Sequence, residues 1–211
     1  MVAHEYAHGY AALKQGDQTA YMLGRLTFNP LKHIDPFMTV LLPLMLWFGS
    51  GGRMVFGGAK PVPVNPRNYR NYKRGDIIVS LAGIATNIAL AGACLALVVG
   101  TGLLGAALPS GGQSLALFQR MLFWGIWLNL LLAFFNLIPI PPLDGSHVLA
   151  HVLPPSLALP YRQLAQYGFL VLLALMYFFR SLFAILLLPA FLLHDLAMRV
   201  ALPFALMQPP L

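Results

Sequence analysis

Cysteine and acidic residues are scarce in this chain, and each shortage excludes a class of chemistry. The lone cysteine among 211 residues, Cys94, lies in an apolar run, which rules out an intrachain disulfide and a cysteine-built zinc knuckle. Any metal must be held by histidine and carboxylate. There are only six acids, Glu5, Asp17, Asp35, Asp76, Asp144 and Asp195, and Glu5 is the sole glutamate. Charged residues make up 9% of the chain against 59% hydrophobic residues, and mean hydropathy is +0.74. A soluble domain is about a quarter charged, and a soluble chain of this composition would expose large apolar patches. The composition therefore predicts an integral membrane protein with the lipid bilayer as its surroundings.

The net charge of +7 does not indicate a nucleic-acid partner, because the basic residues form no dense run on a polar domain. Nine of the thirteen Lys and Arg fall between Lys14 and Arg74, which reads as a cytoplasmic face under the positive-inside rule. No signal peptide is visible, since polar His4 and Glu5 follow Met-Val-Ala directly. The helix that they begin reads as the C-terminal part of a longer one, so its upstream half is expected before it.

Residues 4 to about 13 read as helix, and the turn-rich stretch GDQTAYMLGRLTFNPLKHIDP as short strands. Residues 36–49 are apolar but too few to span comfortably, and Pro43 interrupts them, which suggests a re-entrant or interfacial segment. A Gly- and Pro-rich basic stretch, 50–76, precedes a spanning helix over 77–104. An uncharged linker around 105–114 follows, and then a second span over 115–138. If the first of these starts inside, the second returns inside, so PIPPLDGSH faces the same side as the loop after HEYAH. That places Asp144 at a depth similar to His4 and His8. From about 164 to 202 the chain is again apolar, and one long tilted helix or two shorter ones fit equally well. Arg180, Pro189 and the pair His194 and Asp195 interrupt it, the charged groups as interfacial or locally paired ones.

His4-Glu5-Tyr6-Ala7-His8 is an H-E-x-x-H. On a helix, histidines four apart share a face, so both imidazoles can reach one metal ion, and Glu5 beside them can take a proton from water. Zinc lowers the pKa of a coordinated water to roughly 7, which makes hydroxide available at neutral pH. A catalytic zinc needs three protein ligands and an open position, and Asp144, after the break at Pro139, Pro141 and Pro142, is the best third. His147 and His151 are rivals, with an interfacial or supporting role as their plainer reading. Asn87 and Asn129 lie within spans, where an unpaired amide costs several kcal/mol, so each needs a partner; for Asn129 a helix-to-helix hydrogen bond is the simplest. GGAKPVPVNP suits either an exposed edge strand or a plain hairpin.

HEYAHGYAALKQGD, GGAKPVPVNP, SLAGIATN and FNLIPIPPLDG, in that order between residue 4 and about 150, resemble the site-2 protease family, peptidase family M50, in its compact branch without a PDZ domain. The resemblance implies an all-α polytopic membrane protein, one membrane-embedded metalloprotease domain over 1–211 with a small β-strand or re-entrant region between the HExxH helix and the next span, and it implies a first span ahead of residue 1. It implies a single catalytic zinc ion on His4, His8 and Asp144, with Glu5 as general base and Asn87 assisting substrate or oxyanion binding. The implied activity is cleavage of transmembrane segments of other proteins, near the cytoplasmic side of the cell membrane. Other functions that the residues allow are a transporter or metal permease using intramembrane His and Asp, a non-catalytic binder of transmembrane segments, and zinc hydrolysis of a lipid or other small substrate.

Overall fold

A computed structural model describes residues 1–53, 55, 57–107 and 112–206. Its contacts divide into two units, 1–83 and 84–211, and helix α4 (Tyr72–Ala107) runs through both.

In the first unit, α1 (Val2–Gln15) carries the HEYAH motif and ends where Gly16 turns left-handed at φ 111°, a C-terminal stop that glycine adopts at little cost. The short α2 (Thr19–Met22) follows. A single 3₁₀ turn spans Pro30–His33, opened by Asn29, whose side chain accepts from the Leu31 N–H at 3.0 Å. Asp35 in the same way accepts from Phe37 and Met38 at the start of a π-helical turn, Pro36–Leu41, which passes into α3 (Leu42–Gly49). Short strands were expected over 16–36, yet among the described residues none forms. Asn29 and Asp35 bond the backbone amides just ahead of them, and prolines fill the first helical positions, so side chains take the donors that a ladder would use.

Residues 57–65 form neither helix nor strand, and Asn65 is extended (φ −120°, ψ 100°). Pro61 and Pro63 lack N–H groups, while the amides of Gly58, Lys60 and Val62 are taken by Met38 O, His33 O and Glu5. The all-α membrane architecture holds; among the described residues its β component does not.

The second unit contains the lower part of α4, α5 (Gly112–Leu137), α6 (Asp144–Val152), α7 (Pro155–Gln163), α8 (Gly168–Phe178) and α9 (Arg180–Ala201). Its core joins Ala91 and Val98 of α4, Leu122, Phe123, Ile126 and Leu130 of α5, and Ala201 of α9. Alanine at two of these contacts lets the helix backbones approach, the usual way apolar helices pack in lipid. Gln119, only 1% exposed, fastens the same helices, donating to Val98 O at 3.0 Å and Phe204 O at 2.8 Å and accepting from the Leu206 N–H at 2.8 Å.

Among the described residues, three helices are long and apolar enough to cross a membrane, Tyr72–Gly105, Gln113–Leu137 and Arg180–Phe204. The chain is a multi-pass membrane protein. Residues 108–111 of the expected 105–114 linker lie outside the described residues. Between 164 and 202 the chain forms two helices, broken at Phe179 (φ −114°, ψ 46°) immediately before Arg180. Asp195 pairs within α9 with Arg199 at 2.9 Å and Arg180 lies 5.8 Å from the Tyr177 ring, so these two pair locally, whereas His194 meets the ring of Trp127 on α5 edge-on at 5.0 Å.

Candidate metal centre

α1 turns His4 and His8 to one face, where both are buried, 6% and 8% exposed, and their Nε2 atoms stand 3.0 Å apart. Two nitrogens at about 2.0–2.1 Å from one tetrahedral ion are separated by about 3.3 Å, so this pair fits a shared zinc after opening by a few tenths of an ångström. His8 Nδ1 lies 2.7 Å from Val79 O on α4. That carbonyl can only accept, so it fixes the proton on Nδ1 and turns the Nε2 lone pair toward its neighbour.

The close fit of this pair depends on Gly83. A Cβ there would come within 2.5 Å of His4 Cε1 and His8 Nε2, and 2.6 Å of His4 Nδ1. α4 therefore presses bare backbone against both rings. Glu5 is half-buried beside them, and its Oε2 accepts from the Val62 N–H at 2.8 Å. The segment 61–65 is thus tied to α1 through the one carboxylate next to the histidine pair.

Asp17 holds the other end of that segment. Its carboxylate, 1% exposed, accepts from Asn65 N–H at 2.6 Å, Asn68 Nδ2 at 2.8 Å and Thr19 N–H at 3.1 Å, and from the Thr19 hydroxyl. Burial acts to raise its pKa, but these four donors outweigh burial and hold it below the ordinary carboxylate value. The charged form is the one that the fold stabilises. Its contribution is complete above the ordinary carboxyl range near pH 4 and is lost as pH falls through the depressed native value. Asp17→Asn turns an amide toward donors that need an acceptor, and should destabilise the protein by about 1–3 kcal/mol at pH 7. Denaturant unfolding in detergent checks this, and the gap from wild type should narrow in acid. Equal midpoints at neutral pH would show that the bonds contribute nothing net.

Asn87, 1% exposed, stands one turn beyond Gly83 on the same face of α4. Asp144, half-buried, is the first residue of α6. The chain before it is tightly turned, with the Leu143 N–H bonded to Ile140 O at 2.9 Å and the Ser146 N–H to Leu143 O at 3.0 Å. Gly145 follows because any Cβ would collide with the Leu137 carbonyl oxygen. His147 is exposed and His151 half-buried on the same helix. Asn129 donates at 2.8 Å to Gly125 O, four residues back in α5, so the helix-to-helix bond expected of it is instead an intrahelical one. A span asparagine meets its need most cheaply from its own preceding turn.

Sequence reasoning passed over Val62, Val79 and Gly83. Val62 and Val79 act through backbone atoms, which residue identity does not signal. Gly83 carried a signal, a glycine deep in a helix where alanine would be favoured by about 1 kcal/mol.

The family model described as peptidase family M50 matches residues 1–179. A Bacillus subtilis protein named "Putative zinc metalloprotease YwhC" is 42% identical over 176 residues, 82% of this chain and 74% of that protein. "Putative zinc metalloprotease Rip2" of Mycolicibacterium smegmatis is 32% identical over 173 residues, 82% of this chain and 61% of its own. Rip2 of Mycobacterium tuberculosis H37Rv is 32% identical over 176 residues, again 82% and 61%. The chain spans about three-fifths of the length of these Rip2 proteins. No solved structure matches it.

Proposed function

Because this chain belongs to peptidase family M50, we propose that it is an intramembrane zinc metalloprotease that hydrolyses peptide bonds in or near transmembrane segments of other proteins. The observation that carries this reading is the buried His4–His8 pair, spaced for one ion, with Glu5 beside it in an apolar chain. Ionisable groups at membrane depth are costly and mark functional sites. His4, His8 and Asp144 would hold a single zinc ion: two imidazoles and a carboxylate are a donor set suited to that metal, and they leave a position open. The metal, when bound, supplies the positive charge that polarises the scissile carbonyl and brings water to reactivity at neutral pH.

The protein's own groups do the rest. A peptide bond within a helix is shielded by its hydrogen bonds, so the substrate must unwind before it can be cut. Val62 N–H occupies Glu5 Oε2, leaving Oε1 to take the proton of the attacking water. Glu5 then returns that proton to the leaving amide nitrogen, so the water's oxygen ends on the carbonyl carbon and both products are released neutral in sum. The Asn87 amide donates to the carbonyl oxygen as negative charge builds on it.

The basic segment between Lys14 and Arg74 supports an orientation in the cell membrane with the site toward the cytoplasm. The test is a reporter transmembrane protein reconstituted with the chain in vesicles. The expected result is one zinc per chain, and a product whose mass places the cut near the cytoplasmic end of the reporter segment. His8→Ala and Asp144→Asn should each lose the metal. Zinc-loaded protein that leaves the reporter whole, or Asp144→Asn that keeps its zinc, contradicts the assignment.

A further inference from the structure

Four cations, Arg67, Arg70, Lys73 and Arg74, fall within eight residues at the entry to α4, and all four are exposed. The next acid, Asp76, is only 5% exposed. From Ile77 onward the helix is apolar, and Tyr72–Gly105 is long enough to span. The change from charge to hydrocarbon therefore takes place within one helical turn. A cavity of about 470 Å³ opens at this point, lined by Asn71, Lys73, Arg74, Ile77 and Ile78.

Spacings of three and four residues put Lys73 and Arg74 one turn above the two isoleucines on the same side of the helix. Asn71, exposed at the rim of the cavity, caps the helix, its Oδ1 accepting from the Arg74 N–H at 3.0 Å. Neither cation has a carboxylate partner among the described residues. The helix amino end adds its own positive potential.

We propose that this cavity binds the headgroup of an anionic phospholipid, the phosphate resting on Lys73 and Arg74 and the first methylenes of an acyl chain lying against Ile77 and Ile78. Charge complementarity requires an anion, and the apolar wall below selects an amphiphile over an acidic peptide, which would have no use for it. The position on the helix agrees, because the polar-to-apolar step of the lining matches the headgroup-to-acyl step of a lipid. The proposal stands independently of the protease reading.

The test uses the full chain in nanodiscs of phosphatidylcholine with about one-fifth phosphatidylglycerol, with the bound lipid counted by native mass spectrometry. The expected result is selective retention of phosphatidylglycerol. Each juxtamembrane cation contributes roughly a fivefold factor, so Lys73→Gln with Arg74→Gln should weaken retention by about 25-fold, and Lys73→Gln alone by about fivefold. Lys73→Arg, which keeps the charge, should retain the lipid. Arg67→Gln with Arg70→Gln removes the same charge outside the cavity and should cost less than about threefold. Equal losses from the two double variants would mean a diffuse positive surface and overturn the site. So would the absence of any preference for phosphatidylglycerol, or its displacement by an acidic peptide at equal charge. If the double variant fails to fold, as its unfolding midpoint would reveal, the single variants decide the matter.

Discussion

Glu5→Gln is expected to abolish cleavage of a transmembrane reporter while leaving zinc content and unfolding midpoint at wild-type values. The substitution preserves shape and, through its amide oxygen, an acceptor for the Val62 N–H that reaches Glu5 Oε2 at 2.8 Å. The segment 61–65 therefore stays in place. What is lost is the capacity to take and return a proton. Removing a general base costs about 10²- to 10⁴-fold, and more where the same group later acts as acid. His8→Ala forms the contrast, because it removes a donor from the pair whose Nε2 atoms stand 3.0 Å apart, and zinc should leave with it. Atomic absorption and reporter cleavage, measured on the same detergent preparations, separate the two. Glu5→Gln that binds zinc and cuts at the wild-type rate would show that Glu5 is not the base and that the proposed mechanism is wrong.

The residues that announce themselves in the sequence are those whose chemistry is carried by side chains. His4, Glu5 and His8 are legible because one helical turn is the only local geometry that brings positions i and i+4 together, and α1 supplies it. The spans were legible because apolar length alone decides them. Where the reading failed, the deciding force was the local competition for backbone donors. Asn29 and Asp35 converted an expected strand region into short helical turns. The sequence leaves the break at Phe179 open, because Arg180 beside it can sit at an interface on one long helix as well as at the start of a second, and composition does not register one residue leaving helical geometry. Gln119 shows the same limit from another side: one polar residue in a span signals a partner, but the carbonyls that satisfy it come from Val98 and Phe204, far off in sequence.

Gly83→Ala is expected to weaken metal binding by at least about 10- to 100-fold in a protein that otherwise folds. By intrinsic propensity the change should help, since alanine in a helix interior is worth up to about 1 kcal/mol over glycine. The packing reverses that. The new methyl would lie 2.5 Å from His4 Cε1 and His8 Nε2, well inside the roughly 3.5–4.0 Å at which carbon atoms rest against one another. Either the rings swing away or α4 withdraws by about 1 Å, and withdrawal also draws the Val79 carbonyl from His8 Nδ1. Zinc tolerates only about 0.2 Å in ligand distance, so either response should lower affinity by at least 10- to 100-fold, the cost typical of disturbing a ligand's support. Gly92→Ala is the matched control on the same helix: nothing lies within 4 Å of its Cβ position, and zinc content should be unchanged. Isothermal titration of metal-free protein with zinc measures both. If Gly83→Ala binds zinc as tightly as wild type while Gly92→Ala does too, then bare backbone at residue 83 is not what sets the histidine pair.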